Sequence, residues 1–236
     1  MPNSSTFNLN ITSTLSNAQV IQVIESTLFI NWHNLFLTSG CRINQVKIHG
    51  VVFLTSKKIH SIFLEVNFFT PESHLLTRSI LLKGKSVVVI PLIYFKNHSN
   101  PRVLMVRQRR IYSGKFTLEF PSGKLEEGST SIHSAQLEIS EECGIQIALE
   151  KFKVLAQSII VCESSFDESV DWFYCKLDSA DISNLNFNLV QGNNFDGEYT
   201  YPVLTTFDIL KGINSFQIKT GLELLLENKI LNSEIN

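Results

Sequence analysis

Glu138, Glu141 and Glu142 are spaced by three and four residues, which places them as neighbours on one face of a helix. Carboxylates so arranged repel one another by roughly 0.2–0.5 kcal/mol a pair unless a cation lies between them. Hard oxygen ligands that leave room for water and phosphate suit Mg²⁺, with Mn²⁺ as the alternative. An acidic helix face by itself is usually only a solvated surface. Here, however, the run Pro121-Ser122-Gly123-Lys124-Leu125-Glu126-Glu127-Gly128 comes just before it. A glycine-bearing loop lets backbone approach a phosphate-bearing ligand, which a solvated helix does not require.

Two other groups could take part. Arg107, Arg109 and Arg110 precede the loop, and an arginine fork can grip a diphosphate through two parallel hydrogen bonds. Strand alternation puts Arg107 and Arg109 on one face and Arg110 on the other. Downstream, Glu163, Asp167 and Glu168 form a second acidic stretch after an expected strand. The six histidines have no ligand spacing, and the cysteines at 41, 143, 162 and 175 form no Cys-x-x-Cys pair, so all four are read as buried thiols.

These residues need elements to hold them. A helix is expected over 130–143, capped by Ser129 or Thr130, ended by Gly144, and buried along Ile132, Ala135, Ile139 and Cys143. A second helical pattern covers 216–231. β-branched and aromatic runs predict strands at 45–53, 58–69 and 75–82, an antiparallel meander, and further strands at 86–95, 102–108, 117–120, 152–161, 169–177 and 198–204. Residues 20–37 follow neither period. The division is therefore a disordered tail over 1–18, an N-terminal β-domain over 19–84 and an α+β domain over 85–236.

Composition excludes several functions. A net charge of −2 and a pI near 6.3 give no positive field to attract nucleic acid or anionic lipid. The longest apolar run, 87–95, contains a proline and falls well short of the ~20 residues of a membrane helix. Without a signal-type apolar stretch at the start, the expected location is cytoplasmic.

Residues 123–145 resemble the Nudix box: glycine, five residues, glutamate, seven residues, Arg-Glu, an apolar residue, any residue, Glu-Glu, any residue, glycine and an apolar residue. Gly123, Glu138, Ile139, Glu141, Glu142, Gly144 and Ile145 are in register, whereas Ser129 replaces the first glutamate and Leu137 the arginine. The wider chain resembles the ADP-sugar diphosphatase branch of this family. That resemblance implies a Nudix αβα sandwich with an N-terminal antiparallel β-domain that forms a homodimer. It implies metal held by Ser122 through its carbonyl, Glu138, Glu141 and Glu142. It also implies Glu168 as the base, with Glu163 and Asp167 as rivals, and Arg107, Arg109, Glu119 and Gly123 at the substrate. The implied reaction hydrolyses the diphosphate of ADP-glucose or ADP-ribose to a nucleoside monophosphate and a sugar 1-phosphate, slowly if Ser129 and Leu137 leave the loop unanchored. Its rivals are hydrolysis of UDP-glucose and a weakened module that only binds nucleotide sugars. RNA decapping fits poorly, because no basic stripe interleaved with aromatics is evident.

Overall fold

The computed structural model describes residues 8–11, 15–54, 58–96, 98–192 and 199–231, with side chains from residue 15 onward. The chain divides into two units, Met1–Gly84 with Ile160–Ser169, and Lys85–Ile159 with Val170–Asn236. The first unit thus runs to Gly84 and also takes a segment from the middle of the chain.

In the first unit β2 (Arg42–Phe53), β3 (Ile59–Phe69) and β4 (Leu75–Leu82) form the expected antiparallel meander. β1 (Asn8–Ile11) pairs with β2 in parallel, and α1 (Asn17–Ile24) begins at a capping box between Ser16 and Gln19. The tail reading is corrected accordingly. Residues 8–11 form a strand and 15–18 lead into a helix, while residues 1–7 and 12–14 of that tail lie outside the described residues. Val46 and Ile48 of β2 and Ile62, Leu64 and Val66 of β3 alternate onto one sheet face. Val23 of α1 and Phe29 and Trp32 of α2 (Thr27–Leu37) complete this core. Residues 20–37 had no readable period because they are two short helices, each started by its own serine, Ser16 and Ser26.

The segment Ile160–Ser169 joins this unit at β4. Leu81 bridges to Phe166, and the Leu81 N–H donates to the Ser165 carbonyl at 2.9 Å. Asp167 Oδ1 accepts from the N–H groups of Lys83 and Gly84 at 2.5 and 3.1 Å.

The second unit is built on β5 (Lys85–Tyr94), β6 (Arg102–Arg109), β9 (Phe152–Ile160), β10 (Ser169–Asp178) and β11 (Thr200–Thr205), in the order β11-β6-β5-β10-β9. Short β7 (Phe116–Glu119) pairs with β6 and β8 (Ser122–Lys124) with β5. Val87, Val89 and Ile93 of β5 share a core with Ala135, Ile139 and Cys143 of α3 (Ser131–Cys143), the buried stripe expected for this helix. Ile90, of opposite parity on β5, meets Gly221 of α5 (Phe216–Glu227). With α3 on one face and α5 on the other, this unit is an αβα sandwich. A short α4 (Phe207–Lys211) precedes α5. Buried Asp171 on β10 ties two elements together, accepting from the Ser131 hydroxyl at the start of α3 and from the Ser158 N–H on β9.

Of the four cysteines only Cys143 and Cys175 are buried, with burial pushing both thiols up; Cys41 and Cys162 are half-exposed, against the expectation. Among the described residues no helix is long and apolar enough to cross a membrane.

Gly221 gives a test of this packing. Replacing a mid-helix glycine by alanine ordinarily stabilises by about 1 kcal/mol. Here the new Cβ would lie 2.5 Å from Phe120 Cε2 and 3.0 Å from Ile90 Cδ1. Overpacking of a core costs about 1–3 kcal/mol, so Gly221→Ala is expected to lower the thermal midpoint. A raised midpoint would show that α5 lies further from Phe120.

Candidate active site

The C-terminal half of α3 lies against β8. Glu142 is 2% exposed, and its Oε2 accepts from the Ser122 N–H at 2.9 Å. A carboxylate this buried is costly unless it is hydrogen-bonded or paired. One turn earlier, the carboxylate of Glu138 occupies the space a side chain at position 123 would need. A Cβ on Gly123 would fall 1.9 Å from Glu138 Oε1. Two carboxylates of one helix face thus rest on two consecutive residues of one loop, and a side chain at position 123 would displace the Glu138 carboxylate.

The end of α3 is fixed by a distant stretch of chain. The Thr200 hydroxyl, fully buried, donates to the Glu142 carbonyl at 2.9 Å, and the Gly192 N–H donates to the Glu141 carbonyl at 2.8 Å. Gly144 ends the helix in the left-handed conformation at φ 71°, packed against Gln191. The start is capped differently from expectation. Thr130 takes the N-cap position but its hydroxyl meets His133 Nδ1 rather than a backbone N–H.

The loop before α3 is held from two more sides. Pro121 accepts from the Val89 N–H at 2.9 Å. Gln217 of α5 accepts from the Phe120 N–H at 2.9 Å and donates to the Ser122 hydroxyl at 3.1 Å.

Among the described residues no three His, Cys, Asp or Glu side chains close into a group that could hold an ion on protein ligands alone. Glu138 and Glu142 meet the loop, and Glu141 is partly exposed. Two carboxylates on a glycine loop fit a cation that completes its shell with water and phosphate, as Mg²⁺ does. A buried acceptor with no partner among the described residues, Gln108 Oε1, lies on the same β6 face as Leu104 and Val106, which pack with α3. Gln108 is also the register partner of Thr200.

The arginines separate by strand parity. Arg107 and Arg109 point away from the α3 face. Arg107 lies over Phe116 and Tyr201 at 4.9 and 5.1 Å from the ring centroids, and Arg109 lies over Phe116 at 4.4 Å. Arg110, just past the end of β6, forms a bidentate pair with Glu119, with NH2 to Oε2 at 2.6 Å. Thr117 also donates to Glu119. Glu119 pairs in register with Val106, so this pair is on the face that α3 covers.

The second acidic stretch belongs to the first unit. Glu168 is ion-paired with Lys83 at 2.6 Å, Asp167 caps the Lys83 and Gly84 N–H groups, and Glu163 is exposed. Of the two box departures, Ser129 accepts from Ser134 at 3.3 Å and Leu137 is 42% exposed. An arginine at 137 would accordingly place its charge in solvent.

Sequence reasoning did not single out Gln217, Thr200 or Gln191. No spacing rule could have found them, because Gln217 is 95 residues from Ser122 and Thr200 is 58 from Glu142.

Glycine loop, acidic helix and αβα sheet are the arrangement that the Nudix resemblance implies. In sequence the chain is 28% identical over 151 residues to Nudix hydrolase 14, chloroplastic, of Arabidopsis thaliana, covering 60% of this chain and 48% of that protein. The chain thus spans about half the length of the curated relative it matches. In fold it is similar to a solved ADP compounds hydrolase, with a TM-score of 0.53 at 14% identity over 78% of this chain and 94% of that one. No protein-family model matches the chain. The resemblance to Nudix hydrolases read from the box thus extends to both sequence and fold.

Glu119 makes the site pH-dependent in a definite direction. Burial would push its pKa up, but hydrogen bonds from Arg110 and Thr117 outweigh burial and hold it below the ordinary carboxylate value. A carboxyl with a depressed folded pKa contributes stability above its unfolded value, about 4.3, and loses that contribution as pH falls through the folded value. Acid unfolding of the wild type and Glu119→Gln should therefore converge below about pH 4, with the wild type more stable above it. A stability difference that does not change with pH would reject the pairing as the cause.

Proposed function

We propose that the chain hydrolyses the diphosphate bond of a nucleoside diphosphate sugar of ADP-glucose or ADP-ribose type in a divalent-metal-dependent reaction. Water adds across the P–O–P bridge, giving a nucleoside monophosphate and a sugar phosphate, the 1-phosphate from an ADP-glucose type substrate and the 5-phosphate from ADP-ribose. The observation that carries this reading is the seating of Glu138 and Glu142 together on Ser122-Gly123. Glu138 and Glu142 would hold Mg²⁺, with Glu141 and the Ser122 carbonyl as further ligands. When bound, the ion neutralises diphosphate charge and lowers the pKa of a coordinated water. Gly123 leaves space for Glu138 and brings backbone to the phosphates. Arg110, oriented by Glu119 on the α3 face, suits a phosphate oxygen better than Arg107 and Arg109, whose guanidinium groups stack on rings on the opposite face. Glu168 is the proposed proton acceptor; Lys83 fixes the position of its carboxylate, whereas Asp167 is committed to two backbone N–H groups.

Ser129 and Leu137 place neutral groups where the family pairs a glutamate with an arginine, so neither charge is left without a partner. What is lost is a tie between loop and helix, and a small misplacement at a phosphoryl centre can cost about 10²-fold in rate. Slow turnover is proposed for that reason. The same substitutions motivate the second reading, a module that binds nucleotide sugars without cutting them. Calorimetric binding with no released sugar phosphate would favour it.

Glu142→Gln separates metal chemistry from folding, because the amide oxygen can still accept from the Ser122 N–H. The variant is expected to unfold at a temperature close to wild type while kcat with Mg²⁺ falls on the order of 10²-fold or more. Retention of wild-type kcat would show that Glu142 holds no catalytic cation.

We also propose that the first unit forms a homodimer. Val52, Leu54, Phe63 and Leu75 of its sheet region are 39–54% exposed, an apolar surface that favours association. Light scattering at micromolar concentration should give twice the chain mass, 53.4 kDa from 2 × 26.7 kDa. A monomer mass rejects the proposal.

A further inference from the structure

We propose that Gln217 is a positioning residue for the carboxylate site. Its side-chain amide sets the placement of the Phe120–Gly123 loop on which Glu138 and Glu142 rest, and through the loop it sets the affinity for the divalent cation. This rests on the metal-dependent reading above.

The loop's backbone explains why such a residue is needed. β7 ends at Glu119, so the Phe120 N–H has no ladder partner, and Pro121 has no N–H to give. The two N–H groups flanking the proline are taken by side chains from opposite helices. Phe120 donates to Gln217 of α5 at 2.9 Å, and Ser122 donates to Glu142 of α3 at 2.9 Å. A primary amide presents an acceptor and a donor together, and Gln217 uses both, the second on the Ser122 hydroxyl at 3.1 Å. Residues 217 and 221 are four apart and share a helix face. Gly221 admits the Phe120 ring, so α5 holds this residue by its ring and by its N–H at once. The next residue to be fixed along the chain is Gly123, whose bare Cα is the surface that Glu138 covers. A shift of the loop toward or away from α3 would move both carboxylate contacts together.

A merely structural role for Gln217 would anchor α5 to the sheet. It predicts a lower melting temperature and an unchanged cation site, and the two roles can be told apart. The experiment uses the full chain and follows Mn²⁺ binding from the electron paramagnetic resonance signal of the free ion, a readout independent of turnover, beside kcat, KM and the thermal midpoint. Gln217→Met keeps the side-chain length and removes both hydrogen bonds. It is expected to weaken Mn²⁺ binding about tenfold, the scale seen when groups that orient metal ligands are lost, and to lower kcat with little change in KM. Gln217→Glu still accepts from Phe120 N–H and can accept from a reoriented Ser122 hydroxyl, so it should recover most of that affinity. Ser122→Ala should give a smaller loss and add nothing further in the Gln217→Met background, because the Ser122 hydroxyl acts through its bond with Gln217, which that background has already lost.

A lowered midpoint with wild-type Mn²⁺ affinity and kcat in Gln217→Met overturns the positioning role while leaving the metal reading intact. If Gln217→Met does not fold, wild-type Mn²⁺ affinity in both Gln217→Glu and Ser122→Ala overturns it instead, because recovery in the first without loss in the second leaves no coupling. A wild-type chain with no Mn²⁺ site sensitive to Glu142→Gln overturns the reading beneath it and the positioning role together.

Discussion

The hydrogen bond from the Ser122 N–H to the Glu142 carboxylate, which is nearly withdrawn from solvent, is the contact on which the loop and helix of the second unit depend. A buried anion tolerates few arrangements, because each lost hydrogen bond costs the full desolvation of the group. Its position therefore fixes the separation of α3 from β8. Glu138 is then brought onto Gly123 by the helix repeat alone. The surrounding elements serve this one spacing. β5 holds the loop through Val89, α5 holds it through Gln217, and Thr200 holds the carbonyl of Glu142 itself.

The parts of this arrangement legible in the sequence are those set by local periodicity. The α3 stripe of Ile132, Ala135, Ile139 and Cys143 follows from spacing, and so do the meander of β2, β3 and β4 and the separation of Arg110 from Arg107 and Arg109. What could not be read depends on pairings across long separations. Gln217 in an exposed helical pattern looks like any surface glutamine, and Thr200 like any strand residue, until topology brings them to Ser122 and Glu142. The same limit accounts for β8. Three residues, Ser122–Lys124, become a strand only because β5 is beside them.

Where residues 20–37 and the first stretch of the chain departed from expectation, the cause is different. α1 and α2 have eight and eleven residues, too short for either period to repeat convincingly, and apolar side chains occur on more than one face. Their serine caps are the stronger local signal. The placement of Leu137 also shows a limit of motif reasoning. The box fixes its register, yet its exposure is a property of the surrounding surface, and a partly exposed leucine carries none of the constraint that an ion-paired arginine would.

The excursion of Ile160–Ser169 into the first unit has a consequence for how the protein can be divided. The chain passes between units after Gly84, after Ile159 and after Ser169, so they are connected by three crossings rather than one tether. A fragment starting at Lys85 would keep Ser165, Asp167 and Glu168 but lose Leu81, Lys83 and Gly84, to which they are bonded. A fragment ending at Gly84 would leave the edge of β4 and those N–H groups without the acceptors that satisfy them. Neither fragment carries both partners of these bonds.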